Sequence, residues 1–249
     1  SRKFNSYSKV FLFKIPPKSD TLTFLNIADS QGMVKSDYDT FLKVFNAAVS
    51  NVKNIDFVSH LGDFVDDGNN EDYWDYLLSG DMWKKYPIVP LAGNHEARVK
   101  RAILDNGGEN SILRHFNLKN IPCQDMSTGA YYSFEYKNAV FVILNTNDIG
   151  EEDMLSDKQC SWAIESARNS KAKWRILLTH KAPYSNGPHC DDADVKRIKP
   201  QIEKICSDGE FDLVLSGHDH VYIRTPILKN KQKTKHKTKI LEYEGVQYE

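Results

Sequence analysis

Five short clusters of residues able to hold a cation are spaced along this chain, and each follows an apolar run. Asp29-Ser30-Gln31 follows residues 22–28, Gly62-Asp63 follows 55–61, and Gly93-Asn94-His95-Glu96 follows 88–92. His180 closes the run 174–179, and Gly217-His218-Asp219-His220 follows 211–216. Carboxylate, carboxamide and imidazole together offer mixed oxygen and nitrogen donors, a set that suits manganese, iron or zinc rather than magnesium or calcium alone. Ions held by such donors act as Lewis acids and generate hydroxide near neutral pH. Taken singly the clusters say little, since a strand-end Asp usually caps a helix and a lone His is usually structural. Their shared position is the informative feature. In an open α/β sheet the carboxyl ends of the strands face one crevice, and clusters delivered there could converge. The outline is that of a metal-assisted hydrolase.

The elements that must deliver them are legible in outline. From Leu22 onward, strand-like runs alternate with helical patterns. Asp37 reads as the N-cap of a helix carrying Phe41, Leu42, Phe45, Ala48, Val49 and Val52 on one face. Residues 71–78 suit a second helix, with Trp74, Leu77 and Leu78 turned inward. The runs 131–136 and 139–144 meet at Lys137-Asn138 and predict a β-hairpin. Ser156-Asp157 can cap a helix through Ala167, and residues 191–194 begin one that runs through Cys206. Consecutive βα units around a hairpin imply a largely parallel, layered α/β arrangement with helices outside.

The two ends read differently. Val10-Phe11-Leu12-Phe13 looks like a short strand and Pro16-Pro17-Lys18-Ser19-Asp20 like a linker. Residues 1–20 are therefore expected to be a linker with either the last strand of a preceding domain or an edge strand of the main one, and residues 21–249 the main domain. Lys229, Lys231, Lys233, Lys235, Lys237 and Lys239 alternate with mostly polar residues, which predicts a solvated hairpin or loop, with an anion-binding strand as the alternative. Residues 241–248 look like a strand in need of a partner.

Composition sets bounds without choosing a function. At 249 residues, 40% hydrophobic and 27% charged, the chain suits one large globular domain. A net charge of −1 argues neither for nor against nucleic acid or membrane as a partner. No apolar run approaches the ~20 residues that span a bilayer. The four cysteines, Cys123, Cys160, Cys190 and Cys206, lack CxxC spacing and do not suggest a zinc ribbon; disulfides and buried free thiols both stay open. Ser1 is not an initiator Met and no signal-peptide pattern follows it, so a processed, trimmed or partial chain is expected.

Read in order, Asp-x-Gln, Gly-Asp-x-x-Asp, Gly-Asn-His-Glu, a strand-end His and Gly-His-x-His resemble the calcineurin-like metallophosphoesterase superfamily over residues 22–222. The sequence around Gly62 to Asn70 and Gly217 to Tyr222 looks most like its purple acid phosphatase branch. The resemblance implies a four-layer α/β/β/α sandwich with a dinuclear centre of manganese, iron or zinc. Asp63 holds the family's bridging position; Asp29, Gln31 and His220 would complete one site, and Asn94, His180 and His218 the other. His95 matches the family's non-ligand histidine, which faces the phosphoryl group and, with Asn94, stabilises its charge. Asp66 and Glu96 could orient a ligand histidine or serve simple turn and capping roles. An upstream fibronectin-like domain, common in that branch, would account for the first residues. Extracytoplasmic placement is implied by the resemblance alone.

Two departures qualify the match. The first motif usually reads Asp-x-His, and Gln31 is a neutral oxygen ligand that would hold its metal less tightly. Asp-x-Gln also resembles manganese-dependent ADP-ribose and CDP-alcohol diphosphatases. Purple acid phosphatases carry a metal-binding Tyr three residues after the bridging Asp; here that position is Asp66, so a colourless enzyme without a tyrosinate–iron pair is expected. Substrate contacts are less defined. His189, after the Asn186-Gly187-Pro188 turn, could swing over the ions or remain a surface-loop residue, and Arg98 could meet a phosphate or stay solvated; Tyr184 and Arg224 lie near the fourth and fifth motifs. The expected activity is hydrolysis of phosphate monoesters, on a phosphorylated small molecule or phosphoprotein, with metal-activated hydroxide attacking phosphorus. A phosphodiesterase or nucleotide diphosphatase is the alternative. Further rivals are a catalytically silent metal-binding module and a nuclease using the lysine-rich stretch, although nucleic acid is not the expected partner.

Overall fold

The computed structural model describes residues 18–97, 111–118, 130–148, 155–229, 232–233, 241–243 and 246–248. Strands β1 (Phe24–Ile27), β2 (Phe57–His60) and β3 (Ile88–Pro90) form a parallel sheet in that order. A second sheet runs β4 (Tyr132–Tyr136), β5 (Ala139–Ile143), β6 (Trp174–Thr179) and β7 (Leu213–Ser216). The β4–β5 pair is the antiparallel hairpin, turning at Lys137, whose φ is 52°; β5, β6 and β7 are parallel.

Side-chain alternation explains why two sheets stack. Along β5, Phe141 and Ile143 face the first sheet, whereas Val140 and Val142 face the opposite layer. Between the sheets Phe141 meets Phe57 edge-on at 5.2 Å and Phe24 edge-on at 5.4 Å, and Phe134 meets Phe57 edge-on at 5.8 Å. Each buried ring contributes roughly 1.5–3 kcal/mol, so this aromatic seam helps hold the two sheets together. Helix α1 (Lys35–Asn51) and helix α2 (Glu71–Leu78) pack outside the first sheet through Phe45, Val49, Trp74 and Leu77. Short helices α3 (Asn94–Ala97) and α4 (Ser111–His115) follow β3. Helices α5 (Asp157–Asn169) and α6 (Ala193–Asp208) cover the second sheet with Ala163, Ile198, Ile202 and Ile205. The result is the expected α/β/β/α sandwich.

Register aims the clusters. His60 is level with Ile27 and with Pro90, so the residues after β1, β2 and β3 leave one sheet edge together. Thr179 is level with Ser216, which does the same for His180 and Gly217-His218. Gly217 N donates to the His180 carbonyl at 2.9 Å and Asp29 N to the Gly62 carbonyl at 3.1 Å, which ties the strand ends laterally.

Several expectations change in detail. Asp37 is not the N-cap of α1. The helix starts two residues earlier, and the Asp37 carboxylate reaches back to accept from Met33 N at 3.0 Å and Val34 N at 3.2 Å, meeting helix-end donors from inside the first turn. Ser156 does cap α5, accepting from Gln159 N at 3.1 Å. The segment 241–248 pairs with itself: β10 (Leu241–Tyr243) lies antiparallel to β11 (Val246–Tyr248). In the lysine-rich stretch, β8 (Leu228–Lys229) pairs antiparallel with β9 (Gln232–Lys233). Cys160, Cys190 and Cys206 are free, and Cys123 lies outside the described residues, as do Arg98 and residues 1–17. Among the described residues no helix is long and apolar enough to cross a membrane.

Candidate metal centre

All five clusters meet where the two sheets' strand ends face each other, and His180 is the hub. Its Nδ1 donates to the Leu61 carbonyl at 2.7 Å, and a carbonyl can only accept, so Nε2 carries the lone pair of the neutral ring. Around that Nε2 lie Asp63 Oδ2 at 3.2 Å, Asn94 Oδ1 at 3.0 Å and His218 Nδ1 at 3.2 Å. Two oxygen atoms and a second imidazole thus crowd one nitrogen in a buried site, and the buried Asp63 carboxylate among them calls for a positive charge nearby. A second proton on His180 is one source. Burial pushes the His180 imidazole down, but Asp63, then Asp29 and the Leu61 carbonyl, overcome this and hold it up at about 9. A metal ion is the other source, and buried Asp63, His180 and His218 have ligand atoms within 4.8 Å of one another. The donor set fits the family's cation.

The second half of the centre is built from β1 and the turn after β7. Asp29 accepts from His218 N with both carboxylate oxygens, at 2.9 and 3.0 Å, which locks the first cluster to the fifth. Gln31 turns its amide so that Nε2 donates to the carbonyls of Asp63 at 3.1 Å and Asp29 at 3.2 Å, leaving Oε1 3.0 Å from His220 Nε2. Backbone carbonyls therefore hold the variant residue with its oxygen facing the fifth cluster. Burial raises the Asp29 carboxyl against the pull of His180, and lowers His218 to about 4 with help from His180. Burial also opposes ionisation of Asp63, but His180 and His95 prevail and keep it well below the usual carboxylate range.

Two glycines are obligatory for the approach. A Cβ on Gly93 would lie 2.0 Å from Asp63 Oδ1, and one on Gly62, whose φ is +92°, would lie 2.6 Å from Gly93 N.

His95 sits beside this centre. Its backbone N donates to Asp63 Oδ1 at 3.0 Å, its Nδ1 donates to the Asp66 carbonyl, and its Nε2 is 3.9 Å from Asp63 Oδ2. Asp66 thus orients a histidine through its main chain, with its carboxylate 3.7 Å from Nδ1. Of the two roles open to Glu96, the structure shows the turn role. Its buried carboxylate accepts from the backbone N–H groups of Asp63, Phe64, Val65 and Gly93 at 2.8–3.2 Å, so it organises the turn that presents Asp63 instead of orienting a ligand histidine. Burial, then the charge of Asp63, push its carboxyl up to about 8 against those donors. His189 does swing inward: its ring is 4.8 Å from that of His218 and 6.2 Å from that of His220, and Asp192 holds its Nδ1 at 2.9 Å.

Some contributors were not singled out from sequence. Asp192 lies three residues after His189 at the start of α6, a spacing that could have suggested the pair. Buried Lys181 follows His180 and pairs with Asp194 at 2.6 Å, pinning the first turn of α6 to the end of β6. Asn147 Nδ2 donates to the Gly93 carbonyl at 3.3 Å from the loop after β5.

With fold and centre in place, the comparisons agree with both. The family model for calcineurin-like phosphoesterases matches residues 22–222, and the chain belongs to that family. Within it the similarity runs to the purple-acid-phosphatase-like branch: the chain is 24% identical over 224 residues to purple acid phosphatase 22 of Arabidopsis thaliana, covering 86% of this chain and 48% of that protein. The fold matches purple acid phosphatase PPD1 of yellow lupin with a TM-score of 0.60 at 17% identity, over 83% of this chain and 39% of that one. A PhoD structure matches with a TM-score of 0.52 at 14% identity, over 81% and 52% respectively. The chain spans about half the length, or less, of the curated relatives it matches.

Proposed function

We propose that this domain hydrolyses phosphate monoesters at a centre of two manganese, iron or zinc ions held between the sheets. The observation that supports it most directly is the crowding of Asp63, Asn94 and His218 around the His180 lone pair at 3.0–3.2 Å. Asp29, Gln31, Asp63 and His220 would hold one ion, and Asp63, Asn94, His180 and His218 the other. When bound, such a pair supplies a hydroxide near neutral pH and neutralises phosphate charge.

The remaining work belongs to side chains. Asn94 turns Oδ1 toward His180, which leaves its Nδ2 to donate to a phosphoryl oxygen. His95 is fixed at both its backbone N and its Nδ1, so only Nε2 can exchange a proton with a bound substrate; protonated, it donates to the phosphoryl group or the departing oxygen. Asp192 fixes His189 in the same sense, which sets a second imidazole on the histidine side of the centre. Hydrolysis of phosphodiesters or nucleotide diphosphates is the second reading, favoured by Gln31 in the first motif.

The test is turnover of p-nitrophenyl phosphate beside bis(p-nitrophenyl) phosphate by manganese-reconstituted protein, with Asp63→Asn as control. Faster monoester turnover, abolished by Asp63→Asn, is the expected result. Diester preference would move the second reading to the front. Bound metal with turnover of neither ester would leave a narrow-specificity diphosphatase or a silent metal-binding module and would overturn the proposal.

A further inference from the structure

Lys181 follows the hub histidine, is only 2% exposed, and brings its Nζ to Asp194 Oδ2 at 2.6 Å. Burying an ammonium group is costly, and a buried ion pair is often no more stabilising than apolar side chains of the same volume. What the pair adds over apolar packing is direction, because a charge-assisted hydrogen bond fixes both distance and angle. The bond reaches the helix itself: Asp194 Oδ1 accepts from Val195 N at 2.8 Å, so the carboxylate is locked to the backbone of the first turn of α6. Val195, Ile198, Ile202 and Ile205 hold α6 down by burial, but burial is non-directional. Lys181–Asp194 is a directional tie between that first turn and the end of β6.

The first turn of α6 controls an imidazole. Asp192 stands at the N-cap position, yet its carboxylate does not cap the helix; it accepts from His189 Nδ1 at 2.9 Å instead. His189 is thus held twice. Its backbone N donates to Asp219 Oδ1 at 2.8 Å, which fixes the main chain, and Asp192 fixes the ring. That ring lies 4.8 Å from the ring of His218, and its side chain is 42% exposed, so it borders the centre and is open to a ligand. With Nδ1 engaged, Nε2 is the nitrogen that can meet a phosphoryl oxygen. Where the ring stands depends on Asp192, two residues from Asp194, and so on the bond that places the first turn.

We infer that Lys181 and Asp194 are positioning residues for phosphoester binding: through the first turn of α6, their ion pair sets where Asp192 holds the His189 ring beside the metal centre. The inference rests on the phosphoesterase reading above, and it adds to the site two residues that hold no metal.

The test is a double-mutant cycle on the full chain with manganese. Lys181→Met with Asp194→Asn removes both charges together, and Asn keeps an oxygen for Val195 N, so no buried charge is left alone. Each protein is measured for kcat/KM on p-nitrophenyl phosphate and, by titration calorimetry, for the Kd of phenylphosphonate, which cannot be hydrolysed. The paired replacement is expected to weaken both by about tenfold, the worth of one charge-assisted hydrogen bond to the phosphoryl group, with manganese content and urea midpoint at wild-type levels. In a His189→Asn background the same replacement should change neither by more than about twofold, because the ring it positions is gone. Lys181→Met alone should repeat this pattern, which keeps the cycle decisive where the paired replacement does not fold. Equal losses in both backgrounds, a loss that follows lower manganese content, or no loss in either would overturn the inference. Wild-type protein that binds phenylphosphonate without hydrolysing p-nitrophenyl phosphate would sink the monoesterase reading instead, and the Kd cycle would still decide the pair. Manganese-loaded wild type that binds no phenylphosphonate would overturn both.

Discussion

His60 gives a prediction whose size can be worked from the structure. The residue is fully buried on β2, stacked on Phe64 with ring centroids 3.6 Å apart. Its Nε2 lies 2.9 Å from Ser30 Oγ, and that hydroxyl already donates to the Phe64 carbonyl, so the ring must supply the hydrogen and its Nδ1 is left without a partner. Burial, against the attraction of Asp63, lowers His60 from the ordinary 6.5 to about 3. Above pH 6.5 the ring is neutral in both folded and unfolded chains, and His60 adds no pH dependence. Below it the unfolded chain takes up a proton that the folded chain refuses, so stability falls as pH drops toward 3. The full gap corresponds to about 5 kcal/mol, of which about 2–3 kcal/mol is lost between about pH 7.5 and about pH 4.5. His60→Phe keeps a flat ring against Phe64 and leaves the Ser30–Phe64 bond in place, but cannot titrate. Urea unfolding at both pH values, with chelator to remove metal linkage, should show the wild type losing about 2–3 kcal/mol more than the variant on acidification. Equal losses would refute the reasoning, whatever the two proteins' absolute stabilities.

Three further outcomes follow from the centre itself. Glu96→Gln replaces an acceptor of four backbone N–H bonds by an amide whose NH₂ faces donors; urea unfolding should show a loss of about 2–4 kcal/mol, and metal analysis a fall in bound ion. Gly93→Ala places a methyl 2.0 Å from Asp63 Oδ1, so metal affinity measured by competitive chelation should drop by at least about tenfold, with the fold retained by circular dichroism. His95→Asn should lower kcat by about 10²–10⁴ while metal content stays at the wild-type level; an unchanged kcat would remove His95 from the reaction.

The sequence was most informative where one local rule met one global one. Apolar runs of strand length fixed which residues stand at strand ends, and parallel register then had to carry them to one edge, as the level positions Ile27, His60 and Pro90 do. Asp29, Gln31, Asp63, Asn94, His180, His218 and His220 all lie where the two sheets' edges face each other. For Glu96 the sequence left two roles open for a physical reason: its partners are backbone N–H groups at 63, 64, 65 and 93, and no side-chain pattern records which amides a turn will leave unpaired. Lys181 was passed over because a lysine after an apolar run ordinarily marks the return to solvent; only the packing of α6 buries it against Asp194. The N-cap was placed three positions late, at Asp37 instead of Val34, because a carboxylate reaching back from within the first turn leaves the same sequence trace as one in front of it.

Backbone conformation at the clusters was beyond any residue pattern, and it bears most directly on what the centre is for. Of seven non-glycine residues at positive φ among those described, four are Asp29, Asp63, His218 and His220, at 54°, 51°, 76° and 53°. Asp and His tolerate this region better than most residues, yet each such position costs on the order of 1 kcal/mol. The three turns that carry them also press polar groups together, as the 3.2 Å separations of His180 Nε2 from Asp63 Oδ2 and from His218 Nδ1 show. Strained turns and crowded acceptors are independent costs, and neither helps the sheets to form, because the aromatic seam between Phe57 and Phe141 lies in the strands themselves. A cation among these groups relieves the electrostatic cost and fixes the turns that carry it. On the proposed reading, the five turns therefore form a site whose backbone strain is repaid by the metal it holds, while a protonated His180 balances the Asp63 charge without it.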